Sequence, residues 1–177
     1  MILDKHYFGN SDTVFLAQDL LGKVLVRKQS NGLMSRQRIS ETEAYHGEED
    51  KACHARFGRT ARNQVMYQEG GVWYVYLCYG IHWLLNIVTG EKDFPSAILI
   101  RGVANISGPG RVTKGLQIDK ALNGLSADYF SGLWIEDDGY IPDKESIIAT
   151  PRIGVDYAGE CALKPWRFVL TERFRNK

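Results

Sequence analysis

A chain of 177 residues with 44% hydrophobic and 24% charged residues can bury one sizeable core, and that balance excludes global disorder. Lys plus Arg number 22 against 21 Asp plus Glu, so the formal charge of +1 neither demands nor excludes nucleic acid, and any phosphate footprint has to be a local patch. Three scattered cysteines, Cys53, Cys78 and Cys161, with no CxxC and no Cys/His cluster of zinc spacing, argue against a disulfide framework or a zinc site and for free thiols in a reducing compartment.

The opening MILDKHYFGN lacks the basic segment and apolar run of a signal peptide, and no stretch approaches the roughly 20 apolar residues of a membrane span, so the expected address is cytoplasmic. SDTVFLAQDLLGK predicts a short helix: Ser11 or Asp12 caps it, Val14, Phe15, Leu16, Leu20 and Leu21 form its apolar stripe, and Gly22 stops it. KVLVRKQSNGLMSRQRISETEAY predicts a hairpin around Asn31-Gly32, the pair that tolerates the positive φ of a tight turn. Residues 46–71 are poor in consecutive apolar positions and rich in Gly, Arg and Glu, which predicts a long irregular excursion of the kind that often carries function. WYVYLCYGIHWLLNIVTG predicts a second strand pair with its tip at Gly80, and SAILIRGV a buried strand. GRVTKGLQIDKALNG predicts one helix ended by Asn123-Gly124, and LWIED and PWRFVL two late, short strands. With no repeat and no linker, hairpins rather than βαβ units predict a single α+β domain over residues 1–177 with a largely antiparallel sheet.

Several segments carry residues suited to chemistry. In a strand, Glu41, Glu43 and Tyr45 share one face, which suits acid–base work beside a flat ligand; taken alone, the segment reads as the solvated face of an edge strand. Alternation puts Tyr74 and Tyr76 on one side and Tyr79 at the turn, so Tyr76 can stack on a ring in a pocket while Tyr79 protrudes; an aromatic stripe is also ordinary core. Asn86 and Arg101 interrupt or end apolar runs and must find polar partners if buried. An arginine near Glu43 would hold that carboxylate ionised and orient a water. Residues 52–64, ACHARFGRTARNQ, hold three arginines and no acid, which suits phosphate contacts, although the preceding Glu48-Glu49-Asp50 also permits local ion pairs. His54 alone reads as a structural histidine.

In order and spacing, LAQDLLGKVLVR, ETEAYHGEEDKACHA, GRTARNQVMY, YVYLCYGIHWLLNIV, SAILIRG, SGPGRVTKGL and PRIGVDYAG…KPWRF resemble the alkyladenine (3-methyladenine) DNA glycosylase family over most of the chain. The resemblance implies a compact domain with a curved sheet flanked by short helices, no metal, no cofactor, and double-stranded DNA containing damaged purines as the partner; a monomer is expected because a DNA-scanning single domain needs no second copy. It implies Glu43 as the general base, Arg101 as its assistant, and Tyr45, His54 and Tyr76 as the walls of a pocket for a flipped base, with Asn86 at its edge. Tyr79 would be the intercalating wedge, and Arg59, Arg62 and Asn63 would lie at the DNA backbone. The reaction implied is hydrolytic excision of 3-methyladenine, 7-methylguanine and related deaminated or etheno purines. No lysine falls in the pocket motifs, so base release without strand scission is expected.

The chain also departs from the family pattern. Only residues 102–107 separate Arg101 from GPG, the tail RFVLTERFRNK lacks a final small-polar strand, and Phe57, Ala61 and Glu48 stand where relatives carry Gly, Pro and Pro. These changes bear on DNA affinity and lesion range. Two other functions fit parts of the pattern: a glycoside hydrolase using Glu41 and Glu43 as a carboxylate pair, and a catalytically inactive damaged-DNA binder.

Overall fold

The computed structural model describes residues 1–29, 31–172 and 174. Two short helices open the chain. In α1 (Lys5–Phe8) the Asp4 carboxylate accepts from the His6 and Tyr7 N–H groups, and in α2 (Thr13–Asp19) Asp12 accepts from the Phe15 N–H. The sequence reading missed α1, whose four residues are too short for any periodicity to register. On α2 the apolar stripe is only partly buried: Leu16, Leu20 and Leu21 are in the core, whereas Phe15 is 55% exposed.

The remainder is built on antiparallel strands. β1 (Val24–Lys28) and β2 (Met34–His46) form the expected hairpin. β3 (Trp73–Cys78) and β4 (His82–Val88) form the second, turning through Tyr79 and Gly80 at φ 49° and 68°. Positive φ at both central positions is the turn geometry that follows the natural twist of a strand pair, and glycine adopts it without strain. β5 (Ser96–Val103), β6 (Ile106–Ser107), β7 (Leu133–Glu136), β8 (Ile147–Thr150) and β9 (Arg167–Leu170) complete the sheet. Its spatial order is β3-β4-β5-β2-β1-β7, with β6 on β5, and β9 joining β2 to β8. The protein is α+β, a curled antiparallel sheet with a few short helices, in agreement with the expected class. No helix among the described residues is long and apolar enough to cross a membrane.

β2 is the hub. Its first half pairs with β1 and its second half with β5 and β9. Between the halves the ladder is irregular: Ile39 faces Val103 and Glu41 faces Gly102, yet Thr42 faces Ile100, leaving Ser40 and Arg101 without ladder partners. Bulges of this kind bend a strand and re-aim side chains. Gly102 permits the close approach, since a Cβ there would meet Glu41 Cβ and Ser40 Oγ at 3.1 Å.

One face of the sheet puts Ala44, Trp73, Leu85, Ile87, Ile98 and Ile100 into one core with Leu16 of α2 and Leu20 at its C-cap, all at most 1% exposed. Each large side chain buried there stabilises the fold by about 1.5–3 kcal/mol relative to exposure. The opposite face carries the polar residues described below.

One expectation is corrected. The single helix expected over GRVTKGLQIDKALNG is α3 (Pro109–Gly115) followed by a separate 3-10 turn (Lys120–Leu122). The chain leaves α3 through Gln117 at φ 53°, and Asp119 caps the second turn by accepting from the Ala121 N–H. The short segment after Arg101, for which the sequence set no conformation, doubles back as β6 against the end of β5. Residues 173 and 175–177 of the unusual tail lie outside the described residues.

Candidate active site

Register alone lines up a row of side chains across five strands. Tyr74 on β3 faces Asn86 on β4, Asn86 faces Leu99 on β5, Leu99 faces Glu43 on β2, and Glu43 faces Arg167 on β9. Directly opposed residues share a face, so this row floors one side of the sheet. Above it lies a cavity of about 870 Å³, walled by Tyr45, His54, Met66, Tyr76 and Leu84 and by the segments Gly108–Arg111 and Ile153–Val155. That volume falls within the range of small-molecule pockets.

Glu43 is fully buried in this floor. Its position in a strand flanked on both sides by β5 and β9 overturns the reading of ETEAY as a solvated edge. The Tyr45 hydroxyl donates to Glu43 Oε2 at 2.8 Å, the Ile153 N–H donates to Oε1 at 2.8 Å, and Arg101 Nη1 lies 3.5 Å from Oε1. Burial pushes the Glu43 carboxyl above the usual carboxylate range, while Arg101, the Ile153 N–H and the Tyr45 hydroxyl pull it down by less and Glu41 adds to the rise. The Arg101–Glu43 pairing expected from the sequence is therefore present, but it does not set the sign of the shift. Arg101 directs its Nε at Glu41 instead, 2.9 Å away, and Arg167 Nε reaches the same oxygen at 2.6 Å. Held by two arginines and absent from the cavity lining, Glu41 is not free to act as the second carboxylate of a glycoside hydrolase. Among the described residues Glu43 is the one carboxylate lining the cavity, beside Arg62, Arg101, Arg111 and Lys114.

The aromatic wall is neutral. Burial raises the Tyr45, Tyr74 and Tyr76 hydroxyls above the ordinary phenol range and lowers His54 to about 4, with Arg62 and Arg56 helping to depress the histidine. His54 Nδ1 is 2.9 Å from the Tyr74 hydroxyl. The His54 and Tyr76 rings meet edge to face, 4.4 Å between centroids at 73°. They form a corner, so a flat ligand stacks on one ring and meets the other at its edge. Asn86, 3% exposed, donates from Nδ2 to the Tyr74 carbonyl at 3.1 Å and lines the cavity floor.

A family profile described as Methylpurine-DNA glycosylase matches residues 7–174. The chain belongs to this family. Three curated relatives bear the name "Putative 3-methyladenine DNA glycosylase". The one from Methanocella arvoryzae is 45% identical, aligning 91% of this chain with 88% of its own. That from Psychrobacter cryohalolentis is 44% identical over 90% and 88%, and that from Anaeromyxobacter sp. 44% over 96% and 89%.

Other residues anticipated for a methylpurine-DNA glycosylase are placed as follows. Tyr79 projects from the β3–β4 turn with 89% of its surface exposed. Arg62 is exposed at the cavity rim and donates to the Leu77 carbonyl at 3.2 Å. Arg59 is ion-paired with Asp93 and lies 4.3 Å over the Tyr67 ring. Asn63 requires a correction. It is 2% exposed, its Nδ2 donates to the His54 and Gly58 carbonyls at 3.0 and 2.9 Å, and its Oδ1 accepts from the Thr60 N–H at 2.7 Å. With its amide fully engaged, Asn63 winds the loop into shape and is not available to a phosphate.

Sequence reasoning missed Arg152. Its guanidinium grips Asp50 through both terminal nitrogens at 2.5 and 2.8 Å, donates to the Ala44 and Cys161 carbonyls, and lies 4.8 Å over the Tyr45 ring. Both charged side chains are fully buried. The next residue supplies the N–H to Glu43, so this clamp ties the excursion after β2 to the segment that touches the carboxylate. An arginine in a coil 102 residues from its partner gives no local pattern to read. A lysine at the site was also missed: Lys114 on α3 lines the outer cavity, contrary to the expectation of none.

Proposed function

We propose that this chain excises alkylated purines, 3-methyladenine and 7-methylguanine first among them, by hydrolysing the N-glycosidic bond of a nucleotide turned out of duplex DNA into the cavity. The observation that carries this reading is one fully buried carboxylate beneath a neutral aromatic corner, with cations and, among the described residues, no other acid lining the cavity. Extrusion costs a few kcal/mol of unstacking. A purine alkylated at N3 or N7 is cationic, and its attraction to the faces of Tyr45 and Tyr76 is worth about 0.5–2 kcal/mol per contact. A neutral His54 adds no opposing charge.

In the proposed step the C1′–N bond breaks, and its electron pair leaves with the purine and cancels the purine's charge. Positive charge builds on the sugar, where ionised Glu43 stabilises it, and water adds its oxygen to C1′ while giving a proton to Glu43. A carboxylate raised by burial is the stronger base for that proton. Only side chains and water take part, so we assign no cofactor, and a monomer suffices.

Glu43 must be ionised to act, so activity is expected to fall as pH drops through its raised value. The acid limb of single-turnover excision should lie above pH 4.5, the ordinary glutamate value. Arg101 pulls Glu43 down, so Arg101→Gln is expected to move the limb further up. A limb unmoved by that substitution would remove Arg101 from this role.

Lys114 is exposed and lacks the apolar burial that activates an amine nucleophile. A duplex with a single alkylated purine should therefore break only on later alkali treatment. Breakage without alkali, or a protein–DNA adduct trapped by borohydride, would contradict simple hydrolysis.

A further inference from the structure

Phe57 serves none of the roles above, and 85% of its surface is exposed. It stands at the tip of the loop between His54 and Asn63, beside Gly58 at φ 82°. This tip is held in place: the Gly58 N–H donates to the Ala55 carbonyl at 2.8 Å, and Asn63 holds the Gly58 carbonyl. The Arg56 guanidinium is 4.7 Å from the Phe57 ring and 4.8 Å from that of Tyr157. Tyr157 lines the cavity and donates its hydroxyl to the Ala52 carbonyl at 3.3 Å. The stack Phe57–Arg56–Tyr157 thus runs from solvent to the rim. Residues 51–68 contain no acid and three arginines, and although Arg59 is paired with Asp93, Arg56 and Arg62 have no acidic partner in an ion pair among the described residues.

What distinguishes this ring from other exposed side chains is its fixed, cationic loop, and the surrounding charge favours a polyanion with flat apolar faces as its partner. We propose that Phe57 is a second stacking platform for duplex DNA, packing on a base that flanks the extruded nucleotide, on a different segment from Tyr79. This rests on the excision reading above and adds to it a contact made by this chain's own loop. Arg56 braces the ring from behind, so the platform is preorganised and binding orders little that is not already ordered.

The test is fluorescence anisotropy of the full chain with a duplex containing a tetrahydrofuran abasic analogue, across a range of salt concentrations. Phe57→Ala is expected to raise Kd about tenfold, the usual scale for loss of one aromatic–base stack. The slope of log Kd against log salt should not change, because no phosphate contact is lost. Phe57→Trp should hold its affinity, and the indole emission it adds to that of the unaltered chain should be quenched on DNA binding. Phe130→Ala, which removes a 96% exposed ring on another loop, should change nothing. A Phe57→Ala Kd within twofold of the unaltered chain, or added emission in Phe57→Trp that is indifferent to DNA, overturns the platform. If the unaltered chain excises alkylated purines while Phe57→Ala binds equally well, this inference alone fails; if the unaltered chain neither binds nor excises, the excision reading falls with it.

Discussion

Glu43→Gln is expected to bind lesion-containing duplex with unchanged affinity and to lose base release by roughly 10²–10⁴-fold, the span attributed to a positioned general base. The substitution keeps the shape of the side chain. Its oxygen still accepts the Ile153 N–H, and Arg101 keeps its bond to Glu41, so no buried cation is orphaned. Stability moves the other way. The folded-state value of Glu43 is raised, so the native protein holds that proton more tightly than the unfolded chain. The resulting stabilisation is complete below the unfolded value and lost as pH rises through the folded one. At neutral pH the charge is a burden on the fold, and Glu43→Gln should be at least as stable as the unaltered chain in urea or heat. A variant both inactive and clearly less stable would say that Glu43 is a structural group rather than a reacting one.

Arg152→Met is expected to have the largest effect on stability. It leaves Asp50 fully buried with no counter-charge, a loss on the order of 3–5 kcal/mol. Against a typical total of about 5–15 kcal/mol, that approaches the limit of folding. For a chain of this size the melting temperature should drop by roughly 6–20 °C. Removing the partner as well distinguishes a penalty of burial from a net gain: Arg152→Met with Asp50→Leu should recover most of the loss, since replacing both members of a buried pair by apolar groups is often near neutral. At temperatures where Arg152→Met stays folded, excision should still be slowed, because the guanidinium packs on Tyr45 and the adjacent residue donates to Glu43. Wild-type stability in the single variant would contradict the clamp.

Much of the fold was legible because it rests on local rules. Asn31-Gly32 and Tyr79-Gly80 mark the two hairpins, and alternation puts Glu41, Glu43 and Tyr45 on one face whatever the tertiary context. Alternation does not say what covers that face. Glu43 looked solvated until β5 and β9 closed over β2, and only the bulge at residues 40 and 101 explains how Arg101 comes to serve two carboxylates. Elements without a strong period were missed, including the four-residue α1 and the half-exposed β8. The helix expected after GPG broke where Gly115 and the positive φ of Gln117 outweighed its pattern. Asn63 was placed at the DNA backbone by the family resemblance of GRTARN, but its burial and three side-chain hydrogen bonds make it the brace of that loop. Arg152 and Asp50 could not be paired from sequence, since only folding brings them together.

The most direct test of the central claim is chromatography of purines released from methylated duplex DNA, with Glu43→Gln run in parallel. The account predicts free 3-methyladenine or 7-methylguanine from the unaltered chain and none above background from the variant. Equal release by both would remove Glu43 from the chemistry, and no release by the unaltered chain, under conditions where it binds the lesion, would make the cavity a sensor of damaged bases and contradict excision.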